Sequence, residues 1–110
     1  MITISWLNSK YPIVHWSLDD IWTTDEFQQA VRETAVMLTT CQRRTHVIID
    51  VSQTGTVPRN FPTVFLRHNG ICNLSANHGI TVIVGAEPFF HAMLNTLTRI
   101  PNHPRNVRFA

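Results

Sequence analysis

Cysteine is scarce in this chain: Cys41 and Cys72 are its only two in 110 residues. They lack Cys-x-x-Cys spacing, so neither a zinc ribbon nor a redox motif is signalled. Two free thiols in a reducing compartment are expected, with a disulfide between them as the alternative. Long apolar runs are missing as well. None approaches the ~18 residues of a membrane span, and the amino terminus lacks the basic-then-apolar layout of a secretory signal. The expected location is therefore cytoplasmic. Lysine is nearly absent, Lys10 being the only one, and the arginines are dispersed, so no basic run of nucleic-acid type exists. The phosphate-loop and dinucleotide glycine patterns are lacking. Six histidines show no His-x-x-x-His spacing, which leaves zinc or iron unsupported. There is no Gly-x-Ser-x-Gly elbow, and neither cysteine lies in a nucleophile signature. The expectation is a non-enzyme with no catalytic residues, metal or cofactor.

What is present suits one compact domain spanning residues 1–110: 44% hydrophobic and 15% charged residues, the composition of an ordinary globular chain. A chain of this length buries roughly two-thirds of its unfolded surface without staples. Its net charge of +2 is unevenly divided. Residues 1–40 hold Lys10 and Arg32 against Asp19, Asp20, Asp25, Glu26 and Glu33, or 2 − 5 = −3. Residues 41–110 hold seven arginines against Asp50 and Glu87, or 7 − 2 = +5. Arginine suits carboxylate and phosphate contacts.

The organising stretch is Val47–Val51, an apolar, β-branched run broken by one carboxylate. It reads as a central strand covered on both faces. The polar segment after it contains Gly55 and ends at Pro58, so the chain leaves the sheet there. Before it, Ile2–Trp6 and Ile13–Leu18 alternate in hydropathy and form a hairpin, with His15 opposite Trp16. Thr23-Thr24-Asp25-Glu26 is a capping box, and Trp22 with Phe27 makes a hydrophobic staple. Phe27, Ala30, Val31, Thr34, Leu38 and Cys41 then mark the inner face of a helix. Val36 departs from that face and suggests an outer contact.

After Pro58, Asn60 caps a second helix with Phe61, Val64, Phe65, His68 and Cys72 on one side, weakened by Gly70. A turn over Ser75–Gly79 precedes the strand Ile80–Val84. Glu87-Pro88 opens a third helix with Phe90, Met93, Leu94, Leu97 and Ile100 inside. Val107–Phe109 is a short edge strand. The expected fold is α/β, a mixed and mostly parallel sheet of about five strands in the order β-β-α-β-α-β-α-β.

Open sheets hold ligands or partners beyond the carboxyl ends of their strands, so the loop after Val47–Val51 carries the candidate site. Asp50 either caps turn amides or joins Ser52, Thr54 and Thr56 in a polar cluster open to a kinase. Arg59 and Asn60 face a partner's carboxylate or phosphate. Gly85-Ala86 offers a weak anion approach, opposed by Glu87. A second class of reading places a small ligand, lipid or nucleotide, in a pocket lined by Phe61, Phe65 and Phe90. A third is a small metal-free enzyme using Asp50.

The element order, with Val47-Ile48-Ile49-Asp50-Val51-Ser52 and Ile80–Gly85 before a helix, resembles the STAS domain of bacterial anti-sigma-factor antagonists. That resemblance implies a regulatory, protein-binding module, with a kinase or a sigma-factor regulator as partner and homodimer formation open. One departure is plain. The antagonists carry a phosphorylated serine in an Asp-Ser pair at the start of the next helix, where this chain reads Val57-Pro58-Arg59-Asn60. The resemblance therefore implies a divergent member without that switch.

Overall fold

The computed structural model describes residues 1–7, 12–41, 43–55, 57–62, 78–99 and 107–110. Among the described residues, five strands form one sheet in the sequential order β1 (Ile2–Trp6), β2 (Ile13–Leu18), β3 (Thr45–Asp50), β4 (His78–Val84), β5 (Val107–Phe109). The first pair is antiparallel and the remaining three are parallel. The short hairpin and the long later connections dictate this mixture. β3 is the middle strand, as its apolar run implies.

Alternation divides the sheet into two unlike faces. The register sets Ile4, Trp16, Ile49, Ile83 and Phe109 in one row across all five strands. The opposite face carries His15, Ile48, Val82 and Arg108 in a row that is half-buried to exposed. The expectation that Val47–Val51 is sealed on both sides is thus corrected. Val47, Ile49 and Val51 are buried while Ile48 and Asp50 are half-buried, because both described helices pack on the same side.

Helix α1 (Thr24–Thr39) starts at the expected capping box: Thr23 Oγ1 accepts from the Glu26 amide at 3.1 Å and Glu26 Oε1 from the Thr23 amide at 3.3 Å. Its inner face is Phe27, Ala30, Thr34 and Leu38. Thr34 belongs there because its hydroxyl accepts from the buried indole of Trp16 at 2.8 Å. Val36, for which an outer contact was expected, is exposed. Helix α2 (Pro88–Thr98) buries Phe90, Leu94 and Leu97, and its His91 ring stacks on Phe109 with centroids 4.4 Å apart. No described helix is long and apolar enough to cross a membrane. The helix expected after Asn60 begins with Phe61 and Pro62 and otherwise lies outside the described residues, as do Cys72 and His68. Cys41 is half-buried.

β4 begins two residues before the sequence suggests, at His78 rather than Ile80. The β3 pairing reaches that far, Thr45 partnering His78, and the buried His78 ring places Nε2 2.9 Å from Thr81 Oγ1. Burial, and secondarily the charge of His46, pushes the His78 pKa down from 6.5 to about 4. Unfolding restores its ordinary titration. Between pH 6.5 and about 4 the unfolded chain therefore binds a proton that the folded chain refuses. Stability from this group is full above pH 6.5, falls through that window, and levels off below it. With partial solvent screening the loss is about 1–3 kcal/mol. Urea melts at pH 7 and pH 4.5 check it, since His78→Gln should flatten the difference.

Candidate functional site

The parallel strands β2, β3 and β4 end at one rim, and the loops leaving them are fastened together. Asp20 takes a positive φ of 53°, a region aspartate tolerates better than most residues. It is held on both sides: its N–H donates to Gln53 O at 2.8 Å and its carbonyl accepts from Gly55 N at 2.7 Å. Thr54 Oγ1 donates to Leu18 O at 2.9 Å, and Val51 N donates to Val84 O at 2.9 Å. At Gly85, φ is 79° and an added Cβ would lie 2.6 Å from Ser52 Cβ. Glycine is required there, where the third loop meets the second.

Within this rim Asp50 is a clasp for its own turn. Its Oδ1 accepts from the Ser52 hydroxyl at 2.6 Å and from the Ser52 amide at 2.9 Å. The hydroxyl bond first, and the amide bond second, hold the Asp50 carboxyl below its ordinary pKa, against a smaller opposing push from burial. Such a carboxylate is stabilised in its charged form and is correspondingly a poorer proton acceptor. Asp50 and Ser52 thus come together as expected, while Thr54 does not join them because its hydroxyl is committed to β2. Thr56 lies outside the described residues. Glu87 ends the anion option at Gly85-Ala86: its own carboxylate accepts from Phe89 N at 3.1 Å and Phe90 N at 2.6 Å, filling the helix terminus.

Arg59 and Asn60 lie elsewhere on the rim. With Val57 and Pro58 they form one wall of a groove of about 450 Å³, and Ile21 to Thr24 form the other. Asn60 Nδ2 donates to Thr24 Oγ1 across it at 3.3 Å. Arg59 is exposed and Ile21 is 76% exposed. Trp22 is only 1% exposed, yet its Nε1 has no hydrogen-bond partner among the described residues. A buried donor without an acceptor costs about 1–3 kcal/mol, an uncommon condition in folded proteins.

The chain matches no family model and no curated protein.

Phe61 and Phe90, proposed as pocket residues, sit in the core. They line a wholly apolar cavity of about 20 Å³ with Leu18, Phe27, Ile49 and Ile83 among its walls. Small-molecule sites run to roughly 300–1,000 Å³. Phe65 lies outside the described residues. No group of three or more potential metal-ligating side chains occurs among the described residues. Ile21 and Phe89, each 76% exposed, were missed by sequence reasoning. Helical and strand periodicity both treat isolated apolar residues at element ends as core, so only their geometry distinguishes them.

Proposed function

We propose that this protein is a non-enzymatic, cytoplasmic regulatory module of STAS type that binds a protein partner through the rim from Ser52 to Asn60. The observation that carries this reading is the groove between Ile21–Thr24 and Val57–Asn60. It combines the exposed apolar Ile21 with the exposed Arg59. An apolar surface beside an exposed cation suits a protein segment carrying an acidic group, since aromatic and arginine anchors dominate such contacts. Asp50 and Glu87 are each bound to their own turns, which supports binding over proton transfer by these two carboxylates. The sequential α/β order and the apolar strand ending in Asp50 support the family likeness. The absent Asp-Ser pair favours a partner not controlled by phosphorylation at that position. A small-ligand sensor built on Phe61 and Phe90 would require their core to open.

Affinity capture followed by crosslinking tests the reading. Arg59→Glu and Ile21→Asp should each reduce partner retention at least tenfold, whereas Glu33→Lys, away from the rim, should leave it unchanged. Phe61, buried at 2% exposure, is unsuitable as a probe because its loss would damage the fold. Partner retention indifferent to both rim substitutions would exclude this surface.

A further inference from the structure

The outer edge of β1 is a separate feature. Antiparallel partners alternate between residues that exchange bonds across the pair and residues whose backbone groups point away. The Met1 ammonium donates to Asp19 O at 2.6 Å and Met1 O accepts from Asp19 N at 2.8 Å. At the other end Leu7 N donates to Ile13 O at 2.8 Å. Odd-numbered residues therefore face β2, and the N–H and C=O groups of Ile2, Ile4 and Trp6 face outward. The Ile2 amide is met by Glu26 Oε2 at 3.2 Å, a side chain standing where another strand's carbonyl would be. The outward groups of Ile4 and Trp6 have no partner among the described residues.

Beside this edge runs a groove of about 330 Å³. Its floor is apolar, made by half-buried Ile2 and Ile4 with Ala30 of α1. Its wall is acidic, made by Asp25, Glu26 and Glu33. Exposed edges are usually blunted by lysine, proline or a bulge, and Ile2–Trp6 contains no lysine or proline and pairs in unbroken register. An unpaired strand edge alongside a helix is the arrangement that accepts an extended peptide as an added strand.

We propose that β1 and α1 together bind an extended, basic segment of a partner protein, which adds to the sheet next to β1. Its backbone pairs with Ile4 and Trp6, its apolar side chains rest on Ile2, Ile4 and Ala30, and its lysines or arginines meet Asp25 and Glu33, while Glu26 stays bound to the Thr23 and Ile2 amides. Charge decides among occupants. A second copy docking β1 on β1 would set two acidic walls against each other, and like charges across an interface oppose association. This surface is distinct from the rim and does not depend on the rim's partner.

The test uses the full chain, ¹⁵N-labelled, with the blocked peptide acetyl-KVKVKVK-amide as probe and acetyl-EVEVEVE-amide as control. The basic peptide should shift the Ile4 and Trp6 amide resonances and slow their hydrogen exchange at least tenfold, with the acidic peptide inert. Glu33→Lys should weaken binding by about two- to fivefold, the usual worth of one exposed charge pair. Ile4→Pro should abolish binding while keeping the hairpin, because proline is tolerated where the lost N–H faces away from the neighbouring strand. Arg59→Glu should change nothing. Equal binding of both peptides, binding that leaves the Ile4 and Trp6 amides unmoved, or self-association through β1 or between β1 and the Arg108-bearing edge of another copy would each overturn the proposal.

Discussion

Replacing Phe61 with alanine should destabilise the protein by about 3–5 kcal/mol, the usual cost of emptying a buried aromatic site. The residue joins the rim to the core. Its ring lies 5.4 Å from Trp22, 5.2 Å from Phe27 and 6.0 Å from Phe90, in edge-to-face arrangements. Each such pair adds about 0.5–1.5 kcal/mol beyond burial. Trp22 and Phe27 belong to the start of α1 and Phe90 to the first turn of α2, so this one ring bridges both helices above the sheet. The existing cavity of about 20 Å³ would be enlarged rather than filled. Urea denaturation should show a lower midpoint with an unchanged slope. Phe61→Leu should recover a substantial part of the loss. A cost under about 1 kcal/mol would mean that the helices close over the gap, contrary to the packing density expected of such a core.

Gly85→Ala is expected to cost about 2–4 kcal/mol, from two separable sources. An L-residue at φ 79° pays about 1–2 kcal/mol for its left-handed backbone. The new methyl would stand 2.6 Å from Ser52 Cβ and 3.0 Å from Ser52 Cα, an overlap of the kind that costs roughly 1–3 kcal/mol. Ser52 cannot easily retreat, since both its hydroxyl and its amide are bound to Asp50. A double-mutant cycle distinguishes the sources. Ser52→Gly in the Gly85→Ala background should relieve the overlap with Ser52 Cβ, leaving the backbone contribution and the 3.0 Å approach to Cα. Absence of any coupling between the two positions in thermal or urea unfolding would place the entire cost on the backbone.

These two positions also show where local sequence logic stops. The capping box over Thr23–Glu26, the amphipathic face from Phe27 to Leu38 and the proline-opened helix at Pro88 are legible because each depends on neighbours within four residues. The apolar run of β3 is legible as a strand for the same reason. Its covering is not. Burial on both faces and burial on one face produce similar runs when the open face still carries Ile48 and Val82, and only the placement of both described helices on the Trp16 side separates them. The start of β4 was hidden likewise, because a histidine-glycine pair is ordinary turn chemistry until Thr45 of β3 pairs with His78.

By itself, the sequence determined the α/β class, the central position of β3 and the helix starts. Those features arise from periodicities and bonds between residues close in the chain. The tertiary structure alone decided that Thr54 answers to Leu18, that Arg59 faces Ile21 across a groove, and that Ile4 presents its backbone beside the carboxylates of α1. Each of these pairs is brought together by strand register and helix packing, which no local pattern encodes.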